Sequence, residues 1–392
     1  MQENRSTDHY LGRLHFEGQT HFDPEPPGSS NPDPTNPTGP PVKAFHKTDY
    51  CEVTDLNPSW NNTHDEWDAG KMDGFTTANA NSLVDPTGAR AMGYYDGSDL
   101  PFYNALYNTF ATGDRYFSSV LGPTFPNRFY LLAGTSFGHI RNDFPPPGGF
   151  EQRTIFNLLD EAHVSWKIYY AQFPPFGALF SYVANHAPGN VVPISQYYAD
   201  AAAGQLPQVS FVDPIFLASP NVENDEHPPA NVQVGERFVS DAIHALFNSP
   251  NWSSSALFLT YDEHGGFFDR AAPPTAPVPD DIPPMLQPGD VPGAFDRYGI
   301  RVPVVAVSPF ARSHFVSPVV HDHTSILRFI ETRFGLPALT NRDANADPML
   351  EFFDFSHATF AQPPTLPPAP IDAAQAARCA AAPANTGTTN LG

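Results

Sequence analysis

Apolar positions along the chain fall into two rhythms. Short, dense runs rich in Val, Phe and Tyr occupy 165–170 (SWKIYY), 207–213 (PQVSFVD), 255–263 (SALFLTYDE) and 302–309 (VPVVAVSP), and each predicts a strand. Apolar residues spaced three and four apart mark 154–163 (TIFNLLDEAH), 235–249 (GERFVSDAIHALFNS) and 323–335 (HTSILRFIETRFG) as helices. Strands alternating with helices imply an α/β fold: a mostly parallel central sheet with helices on both faces. Ligands in such sheets gather at the carboxyl ends of the strands. The run SALFLTYDE ends there in Asp262 and Glu263, followed by His264 and the Gly265-Gly266 pair, which lets the backbone turn sharply beside a ligand. A solvated strand end is the plainer alternative.

Proline sets the punctuation. There are 45 prolines, so irregular segments should be long and numerous. Residues 23–41 hold eight prolines in nineteen and read as an extended surface loop, as do residues 271–293. We expect one catalytic domain over 1–362 and a Pro/Ala-rich tail over 363–392. No internal repeat appears, and no apolar run approaches the ~18 residues of a membrane span.

Charge narrows the partners. Twenty basic against 42 acidic residues give a formal net charge of −22. Nucleic-acid binding is disfavoured because no basic footprint exists to neutralise phosphates, and a strongly anionic membrane would repel the chain. Cys51 and Cys379 are too few for a disulfide scaffold; they are either one long-range bridge in an oxidising compartment or two free thiols. No signal peptide is visible. The start, MQENRSTDHY, is polar with no strand ahead of it, and the sequence is expected to begin partway through the protein, with an N-terminal strand missing. Oligomeric state is left open.

Candidate chemistry lies in six short segments. In GPTFPNRFYLLAG, Thr124 stands at the start of a helical run. It is either an N-cap or a hydroxyl poised in the positive field of the helix N-terminus. Arg128 either grips phosphate with two prongs or forms a structural ion pair. Glu3 and Asn4 in ENRS, His64 in HDEWDAGKMDGF, Asp225 and His227 in NDEHPP, and His323 in HDHTS complete the set with Asp262 and Glu263. Oxygen and nitrogen donors of this kind suit Ca²⁺, Mg²⁺, Mn²⁺, Fe or Zn²⁺, whereas a thiolate zinc site is excluded.

The segments ENRSTDHYLG, GKMDGF, GPTFPNRFYLLAGT, NDEHPP, TYDEHGGFFD and DHTSILRFIE, in that order over roughly residues 2–340, resemble the phosphoesterase family. That family holds phospholipases C and acid phosphatases of the alkaline phosphatase-like superfamily. The resemblance implies that Glu3, Thr124, Asp262 and Glu263 hold a divalent metal and that Thr124 is the nucleophile. It further implies that His64 and His227 face the phosphoryl group, that Asn4 contacts phosphate and that His323 occupies a family position; Arg128 and His323 are counted with Asn4 as candidate substrate-binding residues. His323 is also a candidate ligand of a second metal, with Asp225. The expected activity is phospholipase C-like hydrolysis of a phospholipid phosphodiester through a phospho-threonine. The alternatives are an acid phosphatase acting on small phosphomonoesters and, from another class, an inactive cation-binding relative. The family implies a secreted or periplasmic, bacterial protein. Two departures stand out: the absent strand before ENRS, and Thr7 where many members carry Phe, a change expected to affect packing rather than chemistry.

Overall fold

The four apolar runs fold as strands, but into two sheets. The structure, a computed structural model, describes residues 1–382. Strands Val191–Pro193, Trp166–Tyr170 and Val209–Asp213 form a wholly parallel sheet in that order. The second sheet has the order Val316–Ser317, Ala111–Gly113, Val304–Val307, Leu257–Thr260. Here Val304–Val307 runs antiparallel to both neighbours, and only the outer pair is parallel.

The expectation of one mostly parallel central sheet is therefore corrected to mixed α/β, with these sheets of three and four strands and, among the described residues, two further two-stranded pairs. The cause lies in the connection. A parallel neighbour needs a crossover, usually a helix. Residues 261–303, between Leu257–Thr260 and Val304–Val307, hold no helix, so the chain returns antiparallel. Direction is invisible in the sequence because Val304–Val307 is buried on both faces, and its apolar run reads the same either way.

The amino-terminal residues join the two sheets. The Gln2 N–H donates to Thr260 O (2.8 Å) and the Asp262 N–H to Gln2 O (3.1 Å). The Glu3 N–H reaches Asp225 O (2.8 Å), beyond the end of strand Val209–Asp213. ENRSTD then lies along YDEHGGFFD. Asn4 N donates to Asp262 Oδ1 (3.1 Å), Ser6 Oγ to Phe268 O (2.6 Å) and Asp8 N to Asp269 Oδ2 (3.1 Å). Buried Arg301 clamps the pair through Asp8 (2.9 Å) and Asp269 (2.8 Å). Gly265 is required at this seam: its φ is 67°, and a Cβ there would stand 2.2 Å from Asn4 O.

The expected helices form at Ile155–Glu161, Val232–Phe247 and His323–Phe334. Thr154 and Asp322 close capping boxes, Asn231 caps the second, and Gly335 ends the third in the left-handed region. With helix Thr124–Ala133 they bury apolar residues in the main core shared with both sheets. Beyond residue 362, Leu366 and Ala369 are buried, and Arg237 Nε donates to Ala369 O (2.6 Å). A disulfide joins Cys51 to Cys379, with Cα atoms 5.7 Å apart. Residues 383–392 of the expected tail lie outside the described residues. No helix among those described is long and apolar enough to cross a membrane.

Candidate active site

Each side chain at the carboxyl edge of the sheets is placed by backbone that has few alternatives. Asp262 and Glu263 follow strand Leu257–Thr260 after Tyr261 and are fully buried. Asp262 Oδ1 accepts from the backbone N–H of Asn4 (3.1 Å) and Glu263 (2.8 Å). Its Oδ2 accepts from Arg128 Nε (3.3 Å). Burial, with Glu3 adding repulsion and Arg128 opposing it, pushes Asp262 up to about 7. Glu263 Oε2 accepts from Gly265 N (2.6 Å), and burial lifts its carboxyl to about 7. Glu3, also raised by burial, takes Arg128 Nη2 on Oε1 and the Thr124 hydroxyl on Oε2 (3.4 Å).

Thr124 is not an N-cap. Pro123 holds the cap position, Thr124 is the first helical residue, and its side chain caps nothing. That leaves the hydroxyl directed at Glu3 in the positive field of the helix start. His227 Nδ1 lies 2.6 Å from Pro228 O, so Nδ1 carries a proton, and Nε2 turns to Asp55 Oδ2 at 3.5 Å. Burial pushes Asp55 up to about 7 while His227 opposes the shift. Asp225, raised by burial, accepts from His227 N on Oδ1 (2.9 Å).

Glu3, Asp55, Thr124, Asp225 and His227 line one cavity of about 290 Å³. The rest of its wall is mainly apolar: Phe125, Phe144, Phe173, Phe176, Leu179 and Phe216. Sequence reasoning missed Asp55, which stands in VTDLNP with no motif around it, and it missed this aromatic wall.

Asn4, Asp262 and Glu263 are fully buried and off the cavity wall, and three further expected residues stand elsewhere or do other work. His64 does not line the cavity. Its Nδ1 bonds to Trp60 O (2.7 Å) and its ring lies 4.3 Å from the Trp60 ring, because helix Trp60–Trp67 turns that face away. His323 is fully buried with both nitrogens engaged: Nε2 donates to Asp262 O (2.7 Å) and Nδ1 accepts from Tyr116 OH (3.0 Å). Burial drops it to about 3, so it is a neutral prop for the Asp262 backbone, not placed to touch substrate or bind a metal. Arg128 spans Glu3 and Asp262 and lies over the Phe176 and Phe216 rings at 5.5 and 5.2 Å. It is the ion-pair alternative, a counter-ion inside the carboxylate cluster.

The residues present fit a divalent cation. Glu3, Asp225, Asp262 and Glu263 are buried carboxylates that outnumber the cations beside them, an arrangement unfavourable without further positive charge. The Asn4 amide, held at φ 61°, and Glu263 Oε1 are buried with no hydrogen-bond partner. Their oxygens are less tightly gathered than three donors around one ion, because Arg128 reaches between Glu3 and Asp262. Behind them, Glu66 takes His264 Nε2 (2.6 Å). Burial alone would lower His264, but the carboxylates of Glu66 and Glu263 outweigh it and hold the imidazolium to about 10.

Comparison with known proteins gives this geometry a context. Non-specific phospholipase C1 of Arabidopsis thaliana is 33% identical over 90% of this chain and 69% of its own. Phospholipase C B of Mycobacterium tuberculosis is 33% identical over 91% of this chain and 77% of its own. A solved member of the alkaline phosphatase superfamily from Vibrio parahaemolyticus superposes at a TM-score of 0.39 with 11% identity, over 86% of this chain and 78% of that one, too loosely to carry inference. The sequence profile of the Phosphoesterase family matches residues 1–337. With that match and relatives at 33% identity aligned over nine-tenths of it, the chain belongs to the Phosphoesterase family, hydrolases of ester bonds.

Proposed function

We propose that the protein is a phospholipase C-like phosphodiesterase that cleaves a phospholipid through a phospho-threonine at Thr124. The observation that carries this reading is the cavity's two-sided lining. Thr124, Glu3, Asp225 and His227 stand among phenylalanines continuous with the exposed rings of Phe144 and Phe173, 65% and 66% accessible, and with Leu217, 52% accessible. A small, doubly charged phosphomonoester gains nothing from such a wall. A phosphodiester whose leaving group is a diacylglycerol buries its glycerol and acyl stems against it, at roughly 25 cal/mol per Å² of apolar surface removed from water.

In the proposed reaction Glu3 receives the proton of the Thr124 hydroxyl, and Oγ1 attacks phosphorus in line. The Oγ1–P bond forms as the bond from phosphorus to the glycerol oxygen breaks. His227 Nε2, held by the Pro228 carbonyl at Nδ1 and beside Asp55, gives that oxygen its proton. The Asn4 side-chain N–H groups and the start of helix Thr124–Ala133 stabilise charge on the non-bridging oxygens. Water then gives a proton to His227 and attacks phosphorus, the bond from phosphorus to Thr124 Oγ1 breaks as Glu3 returns the proton it took to that oxygen, and the phosphorylated headgroup is released. A divalent ion bound by Glu3, Asp262, Glu263 and Thr124 would supply Lewis-acid stabilisation of the phosphoryl oxygens and lower the Thr124 pKa. Arg128 and His323 fix Asp262, and His264 with Glu66 fixes Glu263. The Cys51–Cys379 bridge supports a home in an oxidising compartment, outside the cytosol.

The test is a matched assay of phosphatidylcholine and para-nitrophenyl phosphate with wild type and Thr124→Ala. The diester should be the faster substrate, and Thr124→Ala should lose roughly 10⁴-fold or more in kcat with the fold intact. Faster turnover of the monoester across the pH range would replace this reading with the acid phosphatase. No turnover of either, with metal bound, would leave the inactive relative.

A further inference from the structure

Outside the cavity, His321, Asp347 and Glu351 come together from two separate stretches of chain. We infer that they form a second, structural site for a divalent cation, distinct from the one at Glu3, Asp262 and Glu263. One donor atom from each lies within 4.8 Å of the others. The imidazole is the anchor. His321 is 1% accessible, and its backbone is pinned on both sides: its N–H donates to Arg115 O (3.0 Å) and its carbonyl accepts from Phe117 N (2.9 Å). The ring packs edge-on against Phe352, with centroids 5.5 Å apart.

Neither nitrogen of this buried ring makes a hydrogen bond. Nε2 lies 3.0 Å from Glu351 Oε1 and 3.4 Å from Asp347 Oδ1, yet neither oxygen stands in line with a ring N–H. Those separations suit ligands side by side around one ion. Metal–ligand bonds of about 2.1 Å put neighbouring donors about 3.0 Å apart in an octahedron and about 3.4 Å apart in a tetrahedron. The carboxylates are set in advance. Ser317 Oγ donates to Glu351 Oε1 (2.6 Å), and Met349 N donates to Asp347 Oδ1 (2.8 Å) from a left-handed φ of 56°. Their side chains keep 29% and 41% of their exposure, which leaves an entry path and room for water ligands.

The donor set names the class of ion. One imidazole nitrogen with two carboxylates favours Zn²⁺ or Mn²⁺ over Ca²⁺, which prefers an all-oxygen shell. The other comparable group among the described residues, His46, Asp96 and Asp99, lacks the same need. His46 is exposed and already makes an ordinary 2.7 Å hydrogen bond to Asp99, which also accepts from Tyr50. An ion at His321 would tie the 347–351 segment to the residues leading into helix His323–Phe334, and so to the His323 that props Asp262.

The test counts metal and measures melting on the full chain carrying Asp262→Asn and Glu263→Gln, which weaken the cavity site. Equilibrium dialysis against Zn²⁺ should show one equivalent that His321→Gln removes. The rise in melting temperature on adding Zn²⁺ or Mn²⁺ should vanish with it. Asp347→Asn, at the exposed rim, should weaken binding at least tenfold without touching the buried ring, which covers the case in which His321→Gln fails to fold. In the otherwise unaltered chain, Asp347→Asn should leave phosphodiester turnover unchanged at saturating metal. Equal stoichiometry in all variants, or a melting temperature indifferent to metal, would overturn the site and leave a histidinium held by two carboxylates.

Discussion

Thr124 and His227 divide the proposed chemistry, and they separate what the sequence made legible from what it hid. The places of Thr124, Glu3, Asp262 and Glu263 were readable because each belongs to a short segment whose backbone fixes its direction, a strand end or a helix start. The place of His64, off the cavity wall, was not readable. A histidine in a charged segment has no orientation until its helix is docked, and here Trp60 takes it. Asp55 gave no signal because its neighbours carry no pattern. This sorts the two histidines by experiment. His227→Gln should lower kcat by roughly 10²–10⁴-fold on phosphatidylcholine. The loss should shrink on a diester with a nitrophenol leaving group, which needs no proton. His64→Ala should leave kcat within about twofold on both. A large loss from His64→Ala with an unchanged fold would show that the cavity is not the reaction site.

Helix His323–Phe334 shows the element scale. Its start was readable from DHTS and its end from Gly335, and its role as the prop of Asp262 emerges only once the strand beside it is in place. Strand existence was legible from density of apolar residues, whereas strand direction was not, because it depended on the missing crossover between 261 and 303. The same helix carries a pH-sensitive contact. Glu331 is buried; that burial, reinforced by Asp343 on the neighbouring helix Asn341–Ala344, pushes its carboxyl up to about 9 from 4.5. A raised acid keeps its proton in the folded state and loses it in the unfolded one. Its contribution is therefore full below 4.5 and declines as pH rises towards about 9. Glu331→Gln should melt higher than wild type at pH 8–9 and lose that advantage by pH 4–5. A melting difference independent of pH would contradict the assignment.

At the scale of the whole molecule, two distant pieces of sequence close the structure. Residues 1–8 seat beside 261–269, and the disulfide joins Cys51 to Cys379, 328 positions apart. The first pairing was implied only through the metal that the family resemblance assigns jointly to Glu3, Asp262 and Glu263; the second was open, since two cysteines alone give no partner geometry. In the chain-entropy picture a loop that long stabilises by about 5–6 kcal/mol, an upper figure because the unfolded chain is not a random coil. Reduction, or Cys51→Ser, should lower the melting temperature by several degrees and leave kcat near wild type below the transition. An unchanged melting temperature would place no load on the bridge. The central claim, a phosphodiester cleaved through Thr124, is tested most directly by the stereochemical course at phosphorus. A chirally labelled phosphodiester hydrolysed in isotopic water should give a headgroup product with retained configuration, the sum of two in-line displacements through phospho-threonine. Inversion, the signature of a single direct attack by water, would contradict it.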